Sequence, residues 1–525
     1  MKSSAVPEYS DIQINPSLKN WASLLTTVEL DHAQLQQLRT SARQRLVESA
    51  VDFVRRLNAL ADDADLNTGT QPMLSGNPSE QPLVMTGHQP VVFHSGLTFK
   101  YETTEAFASQ NNAIGIAVVI DTDQGDAGQF SYPAIPDNTE PGELSDAFPA
   151  AELQIDSIAE SLGLYGHGRL KSAPEIAQIS DTLCQRLEEL SMTTAVTNVR
   201  EALLQFGQLS AVRASVMQAN LITRWQHGIG SRLLEIPLSS LASFPEMLTL
   251  TSDILKQPRR FASAYNAALE MYRDENNIRN AANPFPNLKV TDDTCELPFW
   301  VISHNRKTRH ALEVQLDGNV TRLLANGRVV DTFAGNITPD ALEPMLLQNI
   351  QIVPRGALIT AFLRLLFSDL FVHGTGGGRY DRFTDEFVRT WWNIEPPPFA
   401  VASASRYLFP ELRSELARLE HIQSQLRDLQ YNPQRYLNDS IFTADLQQRL
   451  NVLCQEKQDL VDQMKRRHSA GESAQDIGRQ IQTLTNQIRD DVSAEFERPL
   501  QKLNRLTPEQ RDAINCRTYP WFMFR

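Results

Sequence analysis

Apolar positions along the chain change their period several times, and each change marks a different element. Between residues 31 and 63, Leu35, Leu38, Leu46, Phe53, Val54, Leu57 and Leu60 recur at a broken three-to-four spacing, which predicts a helix capped by Asp31. The stretch NTGTQPMLSGNPSEQ (67–81) has no such period and is dense in turn residues, so a surface loop is expected. Leu83, Val84 and Met85 then form a short apolar run that stops at Thr86-Gly87, as a buried parallel strand does. A helix over 97–110 and a second apolar run, Ile114 to Ile120, follow. Strand, helix, strand opens a βαβ unit with a right-handed crossover.

From about 150 to 282 the pattern is mostly helical, apart from a core strand near 233–237, and NPFPNL breaks it at 283–288. ALEVQLDGNVTRLLANGRVVD (311–331) alternates apolar and polar positions around turn signals at Asp317-Gly318 and Asn326-Gly327, which predicts a small β insertion. The α/β pattern returns with a helix, a strand at Leu370 to Val372, a glycine-rich loop, a further helix and the run in EPPPFAVASAS. Beyond 410 the period becomes seven: Leu412, Leu419 and Leu426; Ile422 and Leu429; Leu446, Leu453 and Leu460; Ile477 and Leu484; Ile481 and Ile488. Breaks at Asn432-Pro433 and Ala470-Gly471 favour an antiparallel α-helical coiled coil folded back on itself. The terminal CRTYPWFMFR is apolar enough to pack on the body of the protein.

The expected fold class is therefore α/β. A parallel-sheet core carries helical and small β insertions and ends in the coiled coil. The segments are 1–150 (first part of the core), 151–345 (insertions, including the strand near 233–237), 346–408 (second part of the core) and 409–525 (coiled coil and tail).

Composition narrows the function. With 525 residues, 41% hydrophobic and 21% charged, the chain is ordinary globular protein. A net charge of −14 argues against broad nucleic-acid binding, which needs a cationic face. Four scattered cysteines (184, 295, 454 and 516) form neither a disulfide framework nor a zinc motif. No signal-peptide-like start and no long apolar run is present, so no membrane partner is expected and the cytoplasm is the expected location.

Three stretches carry candidate chemistry. TGHQPVVFHSGL (86–97) follows the first strand, where nucleotide-binding α/β proteins place a phosphate loop. Gly87 and Gly96 would let backbone approach a phosphate, and His88 and His94 could donate to its oxygens. FHSGL also holds half of the H-x-G-H signature of class I synthetases and nucleotidyltransferases. A tight turn with structurally satisfied histidines fits the same residues. Asp121, Asp123 and Asp126 follow the second strand and could bind Mg2+, bind a substrate amine or act as a base; an acidic helix cap would look alike. HGTGGGRYDRFTDEF begins at His373 and holds Gly374, Gly376, Gly377, Gly378, Arg379, Tyr380, Asp381 and Asp385. It is neither a Walker A loop nor G-x-G-x-x-G. Arg355 is a candidate clamp for phosphate or carboxylate.

These stretches, in this order and with a terminal coiled coil, resemble the bacillithiol-biosynthesis cysteine-adding enzymes, the BshC family. Its members carry T-G-Q-Q-x-G-L-x-x-G-P-L in the first loop, an acidic G-E-D-H-D-type stretch after the next strand and a G-G-P-G-E-x-x-Y-type segment near the last core strand. Thr86, Gly87 and Gln89 keep the first pattern, while His88 stands where the family has glutamine. Lys100 is similar to the lysine after the family's first loop, displaced along the chain. The resemblance implies a Rossmann-like core split by connecting peptides, a homodimer formed through the coiled coil, and a ligase that joins cysteine to an amino-sugar conjugate through an amide.

On that reading His88, His94, Asp121 and Asp123 are catalytic. Thr86, Gly87, Gln89, Gly96, His373, Gly374, Gly376, Gly377 and Gly378 hold an adenine nucleotide (ATP or ADP), with Mg2+ as a candidate ion. Asp126, Arg355, Arg379, Tyr380, Asp381 and Asp385 bind substrate, and no protein-held structural metal is expected. Two alternatives stay open: another class I-like nucleotidyltransferase or ligase, and a non-catalytic nucleotide-binding coiled-coil dimer acting as sensor or scaffold.

Overall fold

The computed structural model describes residues 8–25, 33–66, 81–134, 150–157, 164, 166–280, 282–439 and 441–524. Of the loop expected over 67–81, residues 67–80 lie outside them, as does the Asp31 cap. Contacts divide the chain into two compact units. The larger holds residues 3–132, 152–406 and 517–525; the smaller holds 1–2, 133–151 and 407–516. The terminal apolar segment thus belongs to the core unit and not to the helices before it.

The larger unit is built on a six-stranded sheet. Its strands are β1 (Ser10–Asn15), β2 (Leu83–His88), β3 (Ile114–Val119), β4 (Leu234–Pro237), β10 (Leu370–His373) and β11 (Phe399–Ser405), in the spatial order β1-β11-β10-β2-β3-β4. Every neighbouring pair is parallel except β1 with β11. All six residues of β3 are buried, which is why its sequence reads as an unbroken apolar run. The strand progression reverses between β2 and β10: β3 and β4 add on one side of β2, β10 and β11 on the other. The edge strand β1 was not evident from the sequence, because most of its residues are exposed.

Helix α1 (Ala33–Asp63) packs its buried stripe Leu35, Ala42, Leu46, Ala50, Phe53, Val54 and Leu57 inward. Helix α2 (Ser95–Gln110) connects β2 to β3, beginning two residues earlier than its apolar period suggests because His94 supplies the cap. Helices α3 (Ala173–Glu189), α4 (Thr193–Ala211) and α5 (Val216–Gln226) follow, with capping boxes at Ser172/Glu175 and Ser215/Gln218. Helices α6 (Pro245–Lys256) and α7 (Pro258–Glu275) complete the helical region.

The β insertion is larger than its hairpin signals. It is a five-stranded antiparallel sheet of β5 (Thr294–Ser303), β6 (Thr308–Asp317), β7 (Val320–Ala325), β8 (Arg328–Ala334) and β9 (Ile350–Pro354), with β9 returning beside β5. The turn at Asn326-Gly327 has positive φ at both residues, the backbone that Asn-Gly favours. After α8 (Pro339–Leu347) and α9 (Ala357–Leu366), β10 leads into α10 (Thr375–Trp392).

The smaller unit holds α11 (Pro410–Tyr431), α12 (Ala444–Ser469), α13 (Gln475–Arg505) and α14 (Pro508–Asn515). Of the seven-spaced residues, Leu419, Ile422, Leu429, Leu446, Ile477 and Ile488 are buried; Leu412, Leu426 and Leu453 pack only partly.

A buried ion network ties the core unit together. Asp369, at the head of β10, accepts from Arg39 (2.7 Å) and Arg43 (2.8 Å) of α1 and from the Leu83 backbone N–H (2.7 Å) that starts β2. Arg39 also donates to the carbonyls of Arg364, Leu365 and Ser368. Burial pushes the Asp369 carboxyl up, but Arg43 and Arg39 outweigh it and hold its pKa below the ordinary value. Removing one member of such a network strands the other charge. Asp369→Ala is therefore expected to cost about 3–5 kcal/mol in urea unfolding. In the parent, this stabilisation is present above the unfolded carboxylate pKa near 3.9 and is lost as pH falls through the lower folded value.

Candidate functional site

The carboxyl ends of β2, β3 and β10 share one edge. His88 pairs in register with Val119, and Val372 with Thr86, so His373 follows directly beside Gly87. A crevice outside a reversal of strand order is where parallel α/β sheets bind ligands. Thr86 closes the seam, its Oγ1 donating to the Val372 carbonyl at 2.8 Å. A Cβ on Gly87 would sit 2.9 Å from the Val118 carbonyl oxygen, so strand packing already requires glycine there. At Gly96 a Cβ would meet His94 at 3.0 Å and the Ala404 carbonyl oxygen at 3.3 Å.

The two histidines of the first loop are opposite tautomers. His88 Nδ1 lies 3.1 Å from the Gln89 carbonyl oxygen, which only accepts, so Nδ1 carries the proton and Nε2 is an acceptor. His94 Nδ1 accepts from the Gly96 N–H at 3.1 Å, so its Nε2 carries the proton. Burial and then Lys100 pull the pKa of His88 down to about 3. Burial, then Arg517 and Lys100, pull that of His94 down to about 4. Both rings are therefore neutral at neutral pH. Donation to an anion, expected of both, suits only His94; His88 offers an acceptor, because the Gln89 carbonyl uses its proton.

Lys100 sits beneath the loop. Its side chain reaches back from α2, and Nζ donates to the Gly87 carbonyl at 2.8 Å. The residue is 2% exposed, and among the described residues no carboxylate pairs with it. Burial alone lowers its pKa to about 7. The terminal segment backs the same loop: the Trp521 N–H donates to the Phe93 carbonyl at 2.8 Å, and Tyr519 to Phe524 are buried.

The three aspartates after β3 separate into different roles. Asp121 is 1% exposed and committed to internal partners: the Ser239 N–H (3.0 Å), the Ser239 hydroxyl (2.5 Å) and His167 Nε2 (3.1 Å). The contact orients His167, whose side chain is 35% exposed. Asp123 accepts from Gln89 Nε2 at 3.2 Å and meets Arg309 Nη1 at 3.5 Å. Arg309 comes from β6, donates to the Thr122 carbonyl at 3.0 Å and stacks 3.9 Å over the Trp300 ring. Asp126 is exposed.

The glycine-rich stretch is mostly helix, not loop. Gly374 is the N-cap of α10, and Gly376, Gly377 and Gly378 form its first turn. A Cβ on Gly377 would strike His373 Nδ1 at 2.6 Å and one on Gly378 would strike Val401 at 2.3 Å; at Gly374 and Gly376 it would meet open space. Two of the four glycines therefore serve helix-on-strand packing. Behind them, His373 Nε2 donates to Asp381 at 2.8 Å, and Asp381 also accepts from Arg364 (2.7 Å) and Thr360 (2.6 Å). Burial pushes the Asp381 carboxyl up, yet His373 and Arg364 hold it well below the carboxylate range.

Arg364 also pairs with Asp385 at 2.6 Å. Asp381 and Asp385, expected as substrate ligands, are thus counter-ions for Arg364. Arg355, expected as a clamp, pairs with Glu296 and stacks 4.4 Å from the Trp300 ring centroid. Arg379 and Tyr380 line a separate cavity.

The fold thus brings 86–96, Lys100, 121–123 and the head of α10 to one sheet edge. Sequence reasoning missed His167 and Arg309, which reach the edge across 46 and 187 residues and belong to no local motif. Among the described residues, no three His, Cys, Asp or Glu side chains gather to hold a metal ion. In comparisons with known proteins, neither a family model nor a curated sequence matches the chain.

The depressed histidines give a pH prediction. Each has a folded pKa below its unfolded value of 6.5, so the unfolded state takes up protons first as pH falls. Stability should be full above pH 6.5 and decline below it, by up to about 1.4 kcal/mol per pH unit for each ring. Nitrogen-15 NMR should show His88 protonated on Nδ1 and His94 on Nε2, both unchanged between pH 5 and 8.

Proposed function

We propose that the edge shared by β2, β3 and β10 is the active site of a small-molecule ligase on a Rossmann-like core. The C-terminal helices form its antiparallel coiled coil and pair two copies. The substrates, taken from the family resemblance, are cysteine and an amino-sugar conjugate, joined through an amide in the cytoplasm. The observation that carries the reading is Lys100, a buried and unpaired ammonium on the Gly87 carbonyl with a pKa near 7.

Amide formation requires an attacking amine to lose a proton and an acyl oxygen to carry negative charge. Above its pKa, Lys100 accepts that proton. His94 offers its Nε2–H to the oxygen, and His88 Nε2 accepts an N–H of the incoming amine. His167, oriented by Asp121, is a second base at the same edge. ATP, when bound, would supply the activation of the carboxylate: as the amide C–N bond forms, the C–O bond would break and that carboxylate oxygen would depart on a phosphate of the nucleotide. Gly374 and Gly376, open where a Cβ would stand, and the first N–H groups of α10 suit its phosphates. Mg2+ is assigned no step, because Asp121 is fully engaged and Asp123 is shared with Gln89 and Arg309.

The test is mass spectrometry of the purified protein incubated with cysteine, glucosaminyl-malate and ATP. The cysteinyl amide should form, with a rate that rises through a pKa near 7. Lys100→Met should lower it by about 10²–10⁴-fold, the usual worth of a positioned base. No product from the parent rejects the ligase reading; product undiminished in Lys100→Met rejects the role of the lysine.

A further inference from the structure

A cavity of about 560 Å3 opens on the face of the core sheet that α10 covers, beside the edge strand β1. It is the cavity that takes Arg379 and Tyr380. Among the described residues its wall holds two arginines, Arg379 and Arg382, and four carboxamide residues, Gln13, Asn15, Asn276 and Asn283, and no Asp or Glu. That is unusual in a chain of net charge −14. Among the described residues neither arginine has a carboxylate partner. Unlike Arg355 and Arg364, both consumed by internal ion pairs, these two keep their donors for solvent or a ligand.

Four properties of the wall bear on the class of ligand. Two guanidinium forks without counter-ions match a phosphate group, which takes parallel N–H donors on adjacent oxygens. The first turn of α10 adds positive potential, since Thr375 lines the same cavity and donates to Gln13 at 3.1 Å. Carboxamides both donate and accept, as hydroxyl groups do, so those around this space suit a polyol; Gln13 already accepts from Thr375 and Asn276 already donates to the Tyr272 carbonyl, which leaves Asn15 and Asn283 to do both. Tyr380 and Phe399 add aromatic surface for the apolar face of a ring. The volume falls within the range of small-molecule sites.

We infer that this cavity binds a phosphorylated, hydroxyl-rich small molecule of sugar-phosphate size. The phosphate lies on Arg379 and Arg382, and the hydroxyls meet the carboxamides of β1 and of the segment after α7. The site stands apart from Lys100 but borders the same first turn of α10 that the ligase reading gives to nucleotide phosphates; it does not depend on that reading.

Calorimetry with the full chain tests it, using glucose 6-phosphate, glucose and inorganic phosphate as probes. Glucose 6-phosphate should bind saturably and more tightly than phosphate by at least about ten-fold, the worth of one or two retained hydrogen bonds. Glucose should bind far more weakly than either. The double variant Arg379→Ala/Arg382→Ala should lose at least about a hundred-fold in affinity for glucose 6-phosphate. Its melting temperature should be unchanged, because neither arginine holds an internal ion pair. Asn283→Leu should weaken glucose 6-phosphate and leave phosphate as it was. No binding of glucose 6-phosphate at millimolar concentration, or equal binding by the double variant, overturns the site. Phosphate binding as tightly as glucose 6-phosphate overturns the polyol assignment.

Discussion

One carboxylate holds the core together. Asp369 gathers two arginines of α1 and the first N–H of β2 onto the head of β10, so that helix and both central strands meet at a single buried charge. That contact sets where β2 and β10 lie relative to each other, and the position of both carboxyl ends follows from it. At one end of the strands the charges are fully compensated and serve structure. At the other, burial keeps His88 and His94 neutral and lowers the pKa of Lys100 to about 7, and their hydrogen-bonding capacity is only partly used. The contrast is physical: Asp369 is compensated by two arginines, whereas burial shifts the protonation of His88, His94 and Lys100 with no carboxylate paired to them among the described residues.

The same criterion redistributes the residues of the glycine-rich segment. His373, Asp381, Asp385, Gly377 and Gly378 look like a ligand loop in the sequence, yet they seat the first turn of α10 against β10 and β11. Two glycines that a packed neighbour demands and two that face open space stand within five positions of each other. Composition alone cannot tell them apart.

Much of the architecture was legible because it depends on local patterns. Unbroken apolar runs announced β2 and β3, a three-to-four spacing announced α1, and a seven-residue spacing announced the C-terminal helices with their two breaks. The edge strand β1 and the outer strand β9 were not, since an exposed strand leaves little periodicity and a returning strand is defined by its partner. The site was legible only as three suspicious segments. The protonation of His88 and His94 is set by a carbonyl and an N–H within two residues, but its depth depends on burial by elements hundreds of positions away. Lys100 was marked only by its likeness to the lysine after the BshC family's first loop, which says nothing of its burial, and His167 and Arg309 reach the edge only when the β insertion and the segment before α3 are folded in place.

The reversal of strand order has a kinetic consequence. The Leu83–Asp369 hydrogen bond spans 286 positions of chain and that of Arg39 with Asp369 spans 330. The central pairing of the sheet therefore cannot form until the intervening helices and the whole β insertion have been traversed, and contacts of such separation slow the search for the native topology. The insertion itself weighs little in that search, because the entropy of closing a loop grows only logarithmically, at roughly 0.6 kcal/mol for each doubling of its length. Changes in the length of the β insertion are thus tolerated over evolutionary time at little loop-closure cost, while the core strands on either side of it are not.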